Sequence, residues 1–146
     1  MLEKISVDIV LAMKEHDTLK LSTLRLLKGA IDLERINKRV DKLSDDDIIS
    51  IIAKQIKTRK ESIVEFEKGN RQDLIDKTNS EIDILSAYMP EQLSEEEVTN
   101  IIELAIKEVN ATSIKDMGNV MKIVSSKVKG KADMQQVSSI IKSKLN

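Results

Sequence analysis

The sequence contains no cysteine and no tryptophan, and among its 146 residues it has one proline, one histidine and four glycines. Without cysteine the chain forms neither disulfides nor thiolate metal sites, so its fold must rest on an aliphatic core. Few glycines and prolines, with many good helix formers, favour helices over sheets. No apolar run approaches the roughly 20 residues of a membrane-spanning helix. We therefore expect an all-α protein without a membrane segment. Because nothing in the sequence requires an oxidising compartment, we also expect a cytoplasmic location.

Helix-start signals and apolar periodicity divide the chain into about seven helices. Ser44 and Ser94 each precede a run of three acidic residues, a pattern typical of a capped helix N-terminus. Gly69 is placed to end the third helix in a left-handed conformation, and Pro90 halts the fourth. The pattern predicts an N-terminal bundle of about four helices in residues 1–90, followed by a small three-helix tail domain in residues 94–146.

Residues with catalytic or metal-binding potential are scarce. His16 has neither a cysteine nor a second histidine to complete a zinc site, so we interpret it as a solvated loop residue. The acidic runs after Ser44 and Ser94 suit the positive end of a helix dipole, which explains them without a metal. Glycine is too rare for a phosphate-binding loop. We expect no metal, no cofactor and no catalytic residue, and keep an enzyme of the ligase or amidotransferase type only as a further alternative.

The C-terminal part of the chain is locally basic. From Ala111 onward there are seven lysines against two aspartates, an excess of five positive charges in a chain whose formal net charge is −1. Lysine is a flexible point charge that suits phosphates better than bases. The candidate nucleic-acid-binding residues are Lys115, Lys122, Lys127, Lys129, Gly130 and Lys131. The alternative is that these lysines only keep a small aliphatic bundle soluble.

Several segments resemble a known family. Asp116-Met117-Gly118-x-Val120-Met121 and Lys129-Gly130-Lys131-Ala132-Asp133 resemble the tail domain shared by the YqeY family and the B subunit of tRNA-dependent amidotransferases. Further segments resemble the stand-alone YqeY proteins along nearly the whole chain: Leu21–Arg25, Arg59–Ile63, Gly69–Leu74 and Tyr88–Ser94.

This resemblance implies an N-terminal helical domain joined to a helical tail. In the amidotransferase B subunit the tail contacts tRNA, whereas the chemistry lies in a large catalytic domain that this chain lacks. The resemblance therefore implies a non-catalytic accessory protein of translation, which binds either tRNA or an aminoacyl-tRNA-handling protein through its tail. The alternative is a protein-interaction module that binds no nucleic acid. The oligomeric state is left open.

Overall fold

The structure, a computed structural model, describes all of residues 1–146. It contains seven α-helices, one 3₁₀ turn and no strand, which confirms the predicted all-α class. The chain divides into two compact units, Met1–Met89 and Pro90–Asn146. None of the helices combines the length and the apolar composition needed to cross a bilayer. The elements are α1 (Leu2–Lys14), α2 (Thr18–Lys38), α3 (Asp45–Lys68), α4 (Gln72–Ser86), α5 (Glu95–Val109), the 3₁₀ turn (Ile114–Asp116), α6 (Met117–Val128) and α7 (Met134–Leu145).

The first unit packs α1–α4 around an aliphatic core. Tyr88 closes this core just after α4, and its hydroxyl donates a hydrogen bond to the carboxylate of Asp8 on α1. Burial and the neighbouring negative charge raise the pKa of Tyr88 well above its usual range, so the phenol stays neutral. The buried residues of this core are Ile5, Leu24, Leu27, Ile31, Leu43, Ile48, Ile52, Leu85 and Tyr88.

The second unit has its own core between α5, α6 and α7. Each helix contributes three buried residues at helical spacing, as its apolar periodicity predicts. The nine residues are Val98, Ile102, Ala105, Val120, Val124, Val128, Val137, Ile141 and Leu145. Because the core contains no aromatic side chain, the helices pack through branched aliphatic residues and one alanine.

Local side-chain caps fix the starts of α2, α3 and α5, and the sequence predicts the caps at Ser44 and Ser94. Asp17 accepts a hydrogen bond from the backbone N–H of Lys20 at 3.1 Å at the start of α2, and Ser44 accepts one from Asp47 at 3.1 Å at the start of α3. Ser94 and Glu97 form a reciprocal capping box at the start of α5. These caps satisfy N–H groups that the first turn of a helix leaves unpaired.

The end of α3 differs from the prediction. Gly69 has φ −90°, and it is Asn70 that takes the left-handed conformation, with φ 54°. Asparagine tolerates this conformation better than most residues. The residue that directly precedes α4 is Arg71, and its side chain does not cap the helix.

A polar contact links α3 to α4 within the first unit. Arg59 on α3 lies 3.4 Å from the Glu81 carboxylate on α4, and both side chains are largely buried. Arg71 forms two hydrogen bonds, of 3.1 and 3.0 Å, with Asp73.

Candidate nucleic-acid interface

The lysine-rich segment between α6 and α7 forms a tight turn. Lys129 has φ −54° and ψ 120°, Gly130 has φ 73°, and the N–H of Lys131 donates to the carbonyl of Val128 at 2.8 Å. These angles and this hydrogen bond define a type II β-turn, whose third residue needs a positive φ. Gly130 is thus required by the turn, and it does not itself end α6, because the extended Lys129 intervenes.

A second segment braces this turn from within the same unit. The side-chain amide of Gln92 donates to the carbonyl of Gly130 at 2.8 Å and to that of Pro90 at 3.0 Å. The backbone N–H of Leu93 donates to the carbonyl of Lys131 at 2.8 Å. Two successive carbonyls of the turn are therefore held, which fixes the backbone that carries Lys129 and Lys131. Periodicity and spacing provide no signal for Gln92, because its partner lies 38 residues away.

All candidate lysines are exposed, and none of them forms an ion pair with an acidic side chain. Of the seven lysines after Ala111, Lys144 alone is paired, at 2.8 Å from Glu103. That contact lowers the pKa of the Glu103 carboxyl. The charges of the candidate lysines are thus directed at solvent.

The two aspartates closest in sequence to these lysines bind backbone instead. Asp116 accepts from the N–H groups of Thr112 at 2.9 Å and Ser113 at 3.3 Å, at the start of the 3₁₀ turn. Asp133 accepts from the N–H of Gln135 at 2.9 Å, at the start of α7. Both carboxylates therefore act as helix caps.

The candidate residues fall into two groups. Lys115 lies in the 3₁₀ turn, Lys122 in α6 and Lys129 directly after α6. They are seven residues apart, close to two helical turns, so we assign them to one stripe with a spacing of about 10 Å. Lys127 follows Lys122 by five residues and so lies well around the helix from that stripe. Lys131 is the last residue of the turn, two residues after Lys129. The stripe is a line of three cations, with the braced turn at one end.

The remaining chemical candidates find structural explanations. His16 is exposed in the connection from α1 to α2, with φ 56°. The two acidic runs occupy the first turns of α3 and α5, and no group of three His, Cys, Asp or Glu side chains is arranged to hold a metal ion. Met117 and Met121 pack against the core of the second unit. Met134 is exposed and occupies the first turn of α7.

Comparison with known proteins places the whole chain in one family. A family model described as Yqey-like protein matches residues 2–145. The chain belongs to the YqeY family. The match covers both compact units, so the segments that suggested this family belong to one continuous relationship.

Relatives in fungi include proteins named "Altered inheritance of mitochondria protein 41, mitochondrial". The one from Pyrenophora tritici-repentis is 32% identical over 144 residues, which is 96% of this chain and 78% of the relative. The one from Vanderwaltozyma polyspora is 30% identical over 146 residues, covering 94% of this chain and 77% of the relative. The one from Kluyveromyces lactis is 36% identical over 81 residues, only 56% of this chain and 44% of the relative.

These relatives overturn the expected cytoplasmic location of this YqeY protein. The names of all three, two of which align along nearly the whole chain, describe mitochondrial proteins. The expectation rested on the absence of cysteine and of a membrane segment. A lack of cysteine shows only that the fold needs no oxidising compartment, and it does not distinguish one reducing compartment from another.

Proposed function

We propose that this YqeY protein is a non-catalytic accessory protein that binds tRNA through the exposed lysines of its second unit. The observation that carries the proposal is the stripe of Lys115, Lys122 and Lys129, whose charges meet no acidic partner. Its resemblance to the tail of the tRNA-dependent amidotransferase B subunit selects tRNA among nucleic acids. In this proposal, the protein partner is an aminoacyl-tRNA-handling enzyme that binds the same RNA.

Recognition through this surface would depend on backbone charge and shape. The second unit contains no Phe, Trp or Tyr, so it has no side chain on which a splayed base could stack. Ammonium groups act as point charges toward phosphates and do not read base edges in a fixed geometry. We therefore expect a preference for structured RNA over single strands, and little dependence on sequence.

The fixed backbone of the turn is a further reason to propose this end of the second unit as the RNA-binding surface. Gln92 and Leu93 hold the carbonyls of Gly130 and Lys131, so the backbone bearing Lys129 and Lys131 is ordered before any ligand arrives. An ordered backbone reduces the entropy lost on binding. The lysine side chains themselves stay flexible, which suits phosphates at variable positions.

The number of contacts sets the expected salt dependence. If the five candidate lysines each neutralise one phosphate, the slope of log K against log salt is about −4, from about −0.7 to −0.9 per contact. Raising the salt concentration fourfold should then weaken binding by about 10²-fold. A surface that merely keeps the protein soluble would give no saturable binding on which to measure such a slope.

The test is the binding of purified full-length protein to total tRNA and to a random duplex RNA across a salt series. Replacing Lys115, Lys122 and Lys129 together by glutamate should remove three phosphate contacts, so the slope should fall by about 3 units. The matched control replaces Lys54, Lys57 and Lys60 on α3, which are also exposed and unpaired, with the same change of charge. Circular dichroism would verify that both variants fold.

Three outcomes would contradict the proposal: no binding of the wild type at low salt, equal losses in the two triple variants, or no preference for tRNA. The first would favour the alternative of a protein-interaction module without nucleic-acid binding. The second would show that RNA binding depends on positive charge anywhere on the surface and would remove the lysines of the second unit as its site. The third would keep phosphate binding but remove tRNA as its target.

A further inference from the structure

Helix α2 carries a second apolar stripe that faces away from the core of the first unit. Leu26, Leu33 and Ile36 are 61%, 60% and 60% exposed. With Gly29 they recur at alternating intervals of three and four residues, the spacing by which one helix meets another. The buried residues of α2 lie on its opposite side, so this stripe has no partner within the unit.

Helix α1 also carries exposed apolar side chains. Val7 is 57% exposed and Val10 45% exposed, and neither contributes to the core. The guanidinium of Arg25 on α2 donates to the sulfur of Met13 on α1 at 3.5 Å, which joins the outer sides of the two helices. We call the side chains of Val7, Val10, Leu26, Leu33 and Ile36, together with Gly29, the outer face.

Gly29 is the most informative residue of the outer face. It lies in the middle of a 21-residue helix, and a Cβ built on it would meet no atom within 4 Å. Glycine is among the residues least favoured inside helices, and the first unit gives no packing reason for it here. A helix-interior glycine on an exposed apolar stripe is what close approach of another helix requires.

The flanking charges point to a second copy of the chain as that helix. Arg25 and Asp32 lie on the same side of the stripe, seven residues apart, and neither forms an ion pair within the chain. A two-fold axis at Gly29 sets two copies of α2 antiparallel. It brings Leu26 of each copy to Leu33 of the other, and Arg25 of each copy to Asp32 of the other.

We propose that the protein forms a symmetric homodimer in which α2 crosses its two-fold mate at Gly29, with α1 at the edge of the interface. Such an interface is isologous, since one patch meets itself. This inference rests on α1 and α2 alone and is independent of the proposed RNA binding.

The size of the outer face predicts a weak dimer. Its residues span about 16 Å of α2 and about 6 Å of α1, which with a helix diameter of about 10 Å gives on the order of 200 Å² per copy. A standard specific interface buries about 800 Å² per partner. The concentration series that follows dimerisation should therefore extend to high protein concentration.

Sedimentation equilibrium of the full-length protein tests the proposal. The weight-average mass should rise with concentration from 16.5 kDa toward twice that value. Leu33→Asp and Gly29→Leu should each raise the dissociation constant at least tenfold. The matched control is Leu104→Asp, because Leu104 on α5 is 61% exposed but lies in the second unit. This control should leave the dissociation constant unchanged.

Exchanging the charges of Arg25 and Asp32 tests whether the partner is a second copy of the chain and whether the two copies of α2 pair in the proposed register. Arg25→Asp should weaken the dimer, because the new carboxylate faces Asp32 of the mate. Adding Asp32→Arg should restore it, since each pair is then re-formed with reversed signs. A monomer at all concentrations, a dimer equally sensitive to Leu104→Asp, or a double variant no stronger than the single one would each overturn the proposed arrangement.

Discussion

Replacing Gly130 by alanine tests whether the lysine turn is a fixed part of the second unit. Gly130 has φ 73°, in the region that L-residues avoid because their Cβ comes too close to the backbone. The type II turn has this requirement at one position only, and the preceding Lys129 already has an ordinary φ of −54°. The substitution therefore introduces strain at one residue and removes no side chain.

The expected cost is about 1 to 2 kcal/mol, the cost of holding one non-glycine residue in the left-handed region. The bonds from Gln92 and Leu93 to this turn oppose relaxation, since a changed backbone would move the carbonyls they hold. A cost of that size changes the ratio of folded to unfolded molecules by a factor of about 5 to 30. Amides of α6 and α7 that exchange through opening of the whole second unit should exchange faster by that factor.

Hydrogen exchange measured by mass spectrometry provides the assay, because it reports on the second unit separately from the first. Gly118→Ala is the matched control: Gly118 is in α6, and a Cβ there would meet no atom within 4 Å. Alanine at that helical position should slow exchange or leave it unchanged. If Gly130→Ala behaved like this control, the turn would be free to adopt another conformation, and the argument that it is preorganised would fail.

Two further predictions concern the first unit. The pKa of Tyr88 is raised from its ordinary value of 10.0, so the folded state holds the phenolic proton more tightly than the unfolded state does. The stability that Tyr88 contributes is fully present below about pH 10, and above it the free energy of unfolding falls by up to about 1.4 kcal/mol per pH unit. In urea unfolding, Tyr88→Phe should lose less stability than the wild type as the pH rises above about 10. An equal loss in the two proteins would contradict the assignment. Glu81→Ala leaves Arg59 largely buried without its carboxylate and should lower the free energy of unfolding by about 2 kcal/mol, less than for fully buried pairs. Replacing both residues by leucine should lower it by less in the same urea unfolding assay.

Features set by a few neighbouring residues could be predicted from the sequence. The helix starts at Ser44 and Ser94 follow from short capping patterns, and the structure contains both. The family followed from several short motifs in the right order, and the match over residues 2–145 confirms it. Gly69 was correctly predicted to follow the last residue of α3, but the left-handed conformation lies one residue later, at Asn70. Glycine and asparagine both tolerate this conformation, so the sequence alone does not decide between them.

Features that depend on distant contacts could not be predicted. Gln92 acts on a turn 38 residues away, and no local pattern signals a side chain that braces a remote carbonyl. Leu33 continues the apolar pattern of α2, yet it is 60% exposed. Apolar periodicity shows that a helix has apolar stripes, but when it has two, their positions alone do not show which one meets the core. For α2 the second stripe is the outer face.

The two proposals can be separated by measuring each property on the variants of the other. Lys115, Lys122 and Lys129 lie outside α1 and α2, so their replacement should not change the dissociation constant of the dimer. A symmetric dimer carries every lysine of the second unit twice. The comparison is made at a protein concentration where the wild type is dimeric and the Gly29→Leu variant is monomeric. If one RNA contacts both copies, the variant should then show about half the salt slope of the wild type, because the slope counts phosphate contacts. If each copy binds its own RNA, the slope should be unchanged, and dimerisation and RNA binding would then be independent properties of the two units.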